Sequence, residues 1–180
     1  MKKTVSKRIK AERLSRQFFT RDVLTVAPEL LGKNLVIRFI DGSPGRYAIT
    51  ETEAYRGEED RACHAFRGRT VRTEIMYAEG GRVYVYFVYG MYWMLNIVTG
   101  NLNDPQAVLI RGLKGFSGPG ILTRELGIDG SFYGEDLVES GRIWIEDTGT
   151  VISYTSSPRK GIDYAGEPWI SKPWRFIADR

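Results

Sequence analysis

The stretch YVYFVYGMYWMLNIV, Tyr84 to Val98, carries no charge and holds four of the chain's ten tyrosines. Such a run must be buried over most of its length, yet no apolar run in the chain approaches the roughly 20 residues that span a bilayer. Its aromatic and β-branched residues favour extended structure, and Gly90 interrupts it. GRVYVYFVYGMYWMLNIV (81–98) therefore reads as two strands joined at Gly90. In the first, Val83, Val85, Phe87 and Tyr89 share one face and Tyr84, Tyr86 and Val88 the other. Both faces are apolar or aromatic, so the pair belongs within a sheet. Tyr89 and Met91 flank the glycine and predict a hairpin tip that holds an aromatic ring and a thioether in the open.

The rest of the chain repeats this strand-and-turn pattern. Asp22 to Leu31 reads as a short helix with Pro28 near its start and Gly32 as its stop. KNLVIRFI (33–40), DGSPG (41–45) and RYAITETEAY (46–55) form strand, turn and strand. Thr70 predicts a cap for a short helix over 71–77, QAVLIRGL (106–113) is a strand, and Gly118-Pro119-Gly120 opens a helix that Gly127 stops. Further strands are expected at 142–146, 151–154 and 174–178. At 180 residues, with no repeat or linker, the chain suits one core. The expected fold is α+β: a single domain around a curved, mostly antiparallel β-sheet, an open barrel-like roll, with a few short helices and a protruding hairpin.

Charge is unevenly spread. Residues 1–16 hold Lys2, Lys3, Lys7, Arg8, Lys10, Arg13 and Arg16 against Glu12, which leaves 19 basic and 21 acidic residues in the remainder. Residues 1–17 read as a basic arm, either solvated or in loose contact with a nucleic acid, and 18–180 as the folded domain. Within that domain Arg61, Arg67, Arg69 and Arg72 form an acid-free patch suited to phosphates. The N-terminus lacks a secretory signal and Cys63 is the only cysteine, so an intracellular protein is expected, cytoplasmic and nucleoid-associated or nuclear, with no membrane contact.

One histidine and one cysteine supply too few ligands for a structural zinc site, and neither a P-loop nor a dinucleotide fingerprint is present, so no metal or cofactor is expected. Cys63 and His64 are neighbours whose side chains should point apart, a poor nucleophile and base pair. Carboxylates offer more. A period of two places Tyr47, Ile49, Glu51, Glu53 and Tyr55 on one strand face. A solvated strand gives the same pattern, but a glutamate beside aromatic rings loses hydration and becomes a competent general base. A carbohydrate hydrolase using Glu51 and Glu53 is disfavoured, because same-face acids lie on one side of a substrate and do not flank its bond.

ETEAY (51–55), EDRACHAFRGRT (59–70) and YVYFVYGMYWMLN (84–96) together resemble the alkyladenine (3-methyladenine) DNA glycosylases. FF (18–19), LLGKNLV (30–36), VLIR (108–111), GPG (118–120), RKGIDYAG (159–166) and KPWRF (172–176) extend the resemblance over nearly all of the chain after residue 17.

The resemblance implies base excision repair of alkylated or deaminated purines in double-stranded DNA by a monofunctional hydrolase without a cofactor; a monomer is expected, although nothing in the sequence fixes the oligomeric state. It implies that Glu53 activates the attacking water and that Arg111 helps to hold it. It places Tyr55 on one side of the flipped base, His64 and Tyr86 on the other, and Asn96 where purines are discriminated. Tyr89, with Met91 beside it, would fill the gap in the duplex. The patch residues Arg67, Arg69 and Arg72 are expected at the DNA backbone, and Arg159 and Lys160 read either as further phosphate contacts or as surface charge. Cys63, Phe66, Gly112 and Ile121 depart from the family's usual residues and bear on substrate range and backbone contacts. The alternative is a non-catalytic damaged-DNA-binding domain of the same fold.

Overall fold

A computed structural model describes residues 11–179. In chain order the elements are β1 (Glu12–Arg13), α1 (Arg16–Phe19), α2 (Val23–Glu29), β2 (Asn34–Arg38), β3 (Pro44–Arg56), β4 (Val83–Val88), β5 (Tyr92–Thr99), β6 (Gln106–Leu113), β7 (Phe116–Ser117), α3 (Pro119–Glu125), β8 (Ile143–Asp147), β9 (Tyr154–Ser157) and β10 (Arg175–Ala178). Short 3₁₀ turns lie between them, including Gly57–Glu59, His64–Arg67 and Glu74–Tyr77.

The strands form one antiparallel sheet in the order β1-β8-β2-β3-β6-β5-β4, with β10 on β3, β9 on β10 and β7 on β6. It does not close into a barrel. With three α-helices among the described residues, the fold is α+β and single-domain, as the strand-and-turn pattern predicts.

β3 organises the sheet because it is long enough for two tasks. Its first half pairs with β2 (Asn34 opposite Ala48) and its second half with β10 (Arg175 opposite Glu53), while β6 runs along its other edge. Between the halves the register against β6 slips: Ile49 faces Leu113, Glu51 faces Gly112 and Thr52 faces Ile110. A bulge of this kind turns the side chains over. Ile49 and Ala54, five positions apart, consequently share the main core, and Thr52 donates to Ala27 O on α2 at 2.9 Å. The single face expected for Tyr47, Ile49, Glu51, Glu53 and Tyr55 is thus divided. Tyr47 and Ile49 turn to the main core, and Glu51, Glu53 and Tyr55 to the opposite side.

Two cores follow from this sidedness. The larger buries Phe19, Val26, Leu30, Ile97, Ile110 and Leu122 completely. Each such side chain contributes roughly 1.5–3 kcal/mol relative to exposure. The smaller, on the other face of β4–β6, gathers Cys63, Ala65, Met76, Tyr77, Tyr84, Val98 and Ala107, with Tyr55 and Tyr86 packed at its margin.

Three local expectations shift. Asp22 caps α2 by accepting from Leu24 N–H, but Pro28 lies in the last turn, not the first, and the helix stops at Glu29. The helix over 71–77 contracts to the turn Glu74–Tyr77, with Thr70 and Thr73 bonding each other ahead of it. The strand expected at 151–154 begins only at Tyr154, because Ile152 packs over Gly32 and leaves the sheet. Residues 1–10 of the expected arm lie outside the described residues. Its remainder is folded: Glu12–Arg13 pair with β8, Leu14 is buried, and Arg16 donates to Gly80 O at 2.7 Å.

Candidate active site

The β4–β5 hairpin ends in a tight turn closed by Met91 N–H donating to Val88 O at 3.1 Å. Its two central residues, Tyr89 (φ 54°) and Gly90 (φ 65°), both have positive φ, the mark of the turn that matches strand twist. Glycine adopts this freely; tyrosine does so at a cost of about 1–2 kcal/mol. The turn leaves Tyr89 84% and Met91 62% exposed at its tip. Strain in an exposed aromatic is a pointer to function.

Behind the hairpin, on the smaller core's face, lies a cavity of about 300 Å³. Tyr55, His64, Tyr86, Asn96 and Arg111 all line it, and Tyr89 reaches its rim. These residues come from β3, the His64–Arg67 turn, β4, β5 and β6, so the sheet register itself assembles the wall. His64 and Tyr86 meet with ring centroids 4.5 Å apart at 71°. His64 Nδ1 lies 2.8 Å from the hydroxyl of the buried Tyr84, whose ring is 5.4 Å from Tyr86. Burial, with the charge of Arg72 added, pulls the His64 imidazole down to about 4. It is neutral near pH 7.

Asn96 is held rigidly. Its Nδ2 donates to Tyr84 O (3.3 Å) and Met94 O (3.2 Å), which fixes the amide plane at the cavity wall.

Glu53 is completely buried. Its Oε1 accepts the Lys160 main-chain N–H at 2.9 Å and lies 3.4 Å from Arg111 Nη1, while Oε2 accepts the Tyr55 hydroxyl at 2.8 Å. Burial lifts the carboxyl above the ordinary glutamate value, although Arg111, the Lys160 N–H and Tyr55 each pull it down. Tyr55, Arg111 and Lys160 line the cavity, and Glu53, in contact with all three, lies behind them and not on the cavity surface. A desolvated base is thereby placed next to a space bounded by flat rings, an arrangement suited to proton abstraction from a small nucleophile.

The expected phosphate-binding residues separate into two groups. Arg159 is not at the surface: its side chain is fully buried, with Nη2 2.9 Å from Asp60 Oδ1 and Nη1 donating to Ala54 O at 2.9 Å. A guanidinium so enclosed is stranded without an opposite charge beside it, and Asp60, equally buried, supplies that charge. Arg159 also covers the Tyr55 ring at 4.8 Å and the Trp174 ring at 5.0 Å. Arg69 is bound to Glu74 at 2.8 Å and lies over Tyr77 at 4.3 Å. Arg67, Arg72 and Lys160 remain exposed, without a carboxylate partner among the described residues; Arg72 lies over Tyr86 at 5.1 Å. Cys63 lines the cavity with His64 instead of turning away, but burial pushes its thiol up to about 12 and disqualifies it as a nucleophile.

Asp60, Tyr84 and Arg175 lie at the site although nothing in the sequence singles them out, and Glu51, weighed there only as one acid of a carbohydrate hydrolase, joins them. Asp60 is one of three consecutive acids, and nothing local marks it as the one that is buried. Gly112 offered a signal: a Cβ there would come within 3.1 Å of Glu51 Cβ, so a glycine on β6 announces the close approach of β3.

The model of the methylpurine-DNA glycosylase family matches residues 17–117 and 114–180. The chain belongs to the methylpurine-DNA glycosylase family. Similar proteins include one from Borrelia garinii subsp. bavariensis, 44% identical over 176 residues that cover 91% of this chain and 94% of the relative. Another, from Methanocella arvoryzae, is 42% identical over 185 residues, covering 91% and 90%. A third, from Desulfitobacterium hafniense, is 42% identical over 196 residues, covering 93% and 96%. All three carry the provisional name 3-methyladenine DNA glycosylase. Membership in the methylpurine-DNA glycosylase family makes the chain a DNA repair glycosylase, and no helix among the described residues is long and apolar enough to cross a membrane.

Proposed function

We propose that this glycosylase takes a damaged purine out of duplex DNA into the cavity between Tyr55 and the His64–Tyr86 pair, and hydrolyses its N-glycosidic bond with a water activated by Glu53. The observation that carries the reading is the fully buried Glu53 carboxylate, with its proton affinity raised, under a ring-lined space of about 300 Å³.

A base inside a duplex is unreachable, and extruding it costs a few kcal/mol, least where damage has weakened pairing. Stacking on the tyrosine rings returns about 1–3 kcal/mol per base. Tyr89 and Met91, exposed at the hairpin tip, have the size and stiffness to occupy the vacated stack. Asn96, unable to rotate, sets a steric limit against a purine bearing an extra exocyclic amine. Lys160, which lines the cavity, and Arg72, over Tyr86, are exposed cations that would neutralise phosphates, joined by the exposed Arg67 of the His64–Arg67 turn.

Bond cleavage develops positive charge on the sugar. The Glu53 anion stabilises that charge and accepts a proton from the water whose oxygen bonds to the sugar, with Arg111 beside it to orient the nucleophile; the purine leaves with the electron pair of the broken bond, so an alkylated, cationic base departs neutral. Carboxylate-assisted hydrolysis leaves an abasic site and an unbroken strand, so the enzyme is read as monofunctional, acting as a monomer on double-stranded DNA.

The test uses duplex oligonucleotides bearing single 3-methyladenine, 7-methylguanine, hypoxanthine or ethenoadenine lesions, with alkali to reveal abasic sites. Wild type should generate alkali-labile sites and Glu53→Gln none. Equal product from both would overturn the assignment and favour a binding-only domain. Strand breaks without alkali, or a borohydride-trapped adduct on Lys160, would make it a lyase.

A further inference from the structure

Glu51 stands two residues before Glu53 on β3, where the register slip leaves it opposite Gly112. Its carboxylate is the best hydrogen-bond partner of Arg111. Arg111 Nε donates to Glu51 Oε1 at 3.1 Å, whereas its Nη1 approaches Glu53 Oε1 only to 3.4 Å, too far for a strong bond. Arg175, on β10, donates through Nη1 to the same Glu51 oxygen at 3.0 Å and is tied by Nε to Pro158 O at 3.1 Å. The side chains of Arg111, Arg175 and Glu51 are 15%, 15% and 19% exposed, so water does little to screen them.

One guanidinium therefore stands between two carboxylates, and its directional bond goes to the one that is not the candidate base. We infer that Glu51 is a positioning residue: together with Arg175 it holds Arg111 in a shared pose, which denies Glu53 a full ion pair and leaves it able to take up a proton. The inference rests on the reading of Glu53 as the base that activates water.

The groups facing Glu53 set the direction of the test. They are Arg111 from β6, Glu51 and the Tyr55 phenol from β3, Tyr86 from β4, Arg175 at the paired position on β10, and Arg159, Lys160 and Tyr164 from the segment after β9. Glu51→Gln releases Arg111 to pair fully with Glu53. A close opposite charge lowers a carboxyl by about 1–3 pH units. The acid limb of the single-turnover excision profile should accordingly move down by about one pH unit, with a lower plateau because the base is weaker. Arg175→Gln should move it up, since Glu51 then draws on Arg111 alone.

Two controls separate positioning from a bare charge effect. In an Arg111→Gln background, Glu51→Gln should shift the limb by less than half of what it does alone. Thermal melts and lesion binding should show that the variants are folded. A limb that stays put or moves up in Glu51→Gln, or a shift of equal size without Arg111, overturns the inference while the glycosylase reading stands. If Glu51→Gln does not fold, Arg175→Gln decides by the sign of its shift. Absence of excision by wild type defeats the reading of Glu53 and takes this inference with it.

Discussion

The Tyr55 hydroxyl donates to Glu53 Oε2 at 2.8 Å from two residues along the same strand face. The ring assigned to hold the base and the carboxylate assigned to activate water are therefore one hydrogen-bonded unit on β3. Tyr55→Phe keeps the ring and removes the bond. Because that bond favours the anion, its loss raises the proton affinity of Glu53 further. Excision should fall more at pH 6 than at pH 8, with lesion affinity, measured in a Glu53→Gln background, within about threefold of the parent, a change under 1 kcal/mol. Superimposable pH profiles would separate the two roles.

Glu53 also carries a stability cost with a definite sign. Its folded proton affinity lies above the unfolded value, so its favourable contribution is complete below the ordinary glutamate range and is lost as pH rises through the folded value. Glu53→Gln never ionises. Thermal melts should show this variant more stable than wild type at pH 7–8, with the gap narrowing towards pH 4. A gap that widens on acidification would mean that Arg111 and Lys160 N–H outweigh burial. A base that destabilises its own fold fits the general exchange of stability for activity.

The Asp60–Arg159 pair should behave as a structural bolt and not as a DNA contact. Removing one partner of a buried pair costs about 3–5 kcal/mol, because the other charge is stranded. Asp60→Asn should therefore lower the melting temperature strongly. For Arg72→Gln the expectation reverses: little change in melting, and a salt slope of DNA binding shallower by about one, as for any lost phosphate contact. An Arg72→Gln slope identical to that of wild type would remove it from the interface.

What could be read from the sequence and what could not divide along physical lines. The β4–β5 hairpin, the β2–β3 hairpin and the long β6 were legible because aromatic and β-branched runs bounded by turn residues mark 81–98, 33–55 and 106–113. The same locality failed at β3, where alternation was extended through 47–55 without the slip that Gly112 permits. Site residues with an aromatic signature, Tyr55, His64 and Tyr86, line one space, and Glu53 lies behind its wall in contact with Tyr55, Arg111 and Lys160. Arg159 was misassigned because its partner Asp60 lies 99 positions away, and no local pattern distinguishes a guanidinium that will be buried from one that will meet phosphate. The Lys160 contact with Glu53 was hidden for another reason: it is made by a main-chain N–H, which any residue but proline would supply.

His64 offers the sharpest measurement, because it is the chain's only histidine and gives a single imidazole resonance. Burial first, and then the Arg72 charge, depress it from 6.5 to about 4. A depressed base contributes stability that is fully present above the unfolded value and is lost as pH falls through 6.5 towards 4. That linkage amounts to about 3 kcal/mol, since each tenfold change in proton affinity is worth about 1.4 kcal/mol. NMR titration should place the wild-type midpoint near 4, and Arg72→Gln should raise it by removing the neighbouring charge. His64→Gln should flatten the loss of stability between pH 6.5 and 4 while leaving the neutral-pH melt little changed. A midpoint near 6.5 would show an imidazole open to water, and the cavity wall that Tyr86 and Tyr84 build around it would then be wrongly drawn.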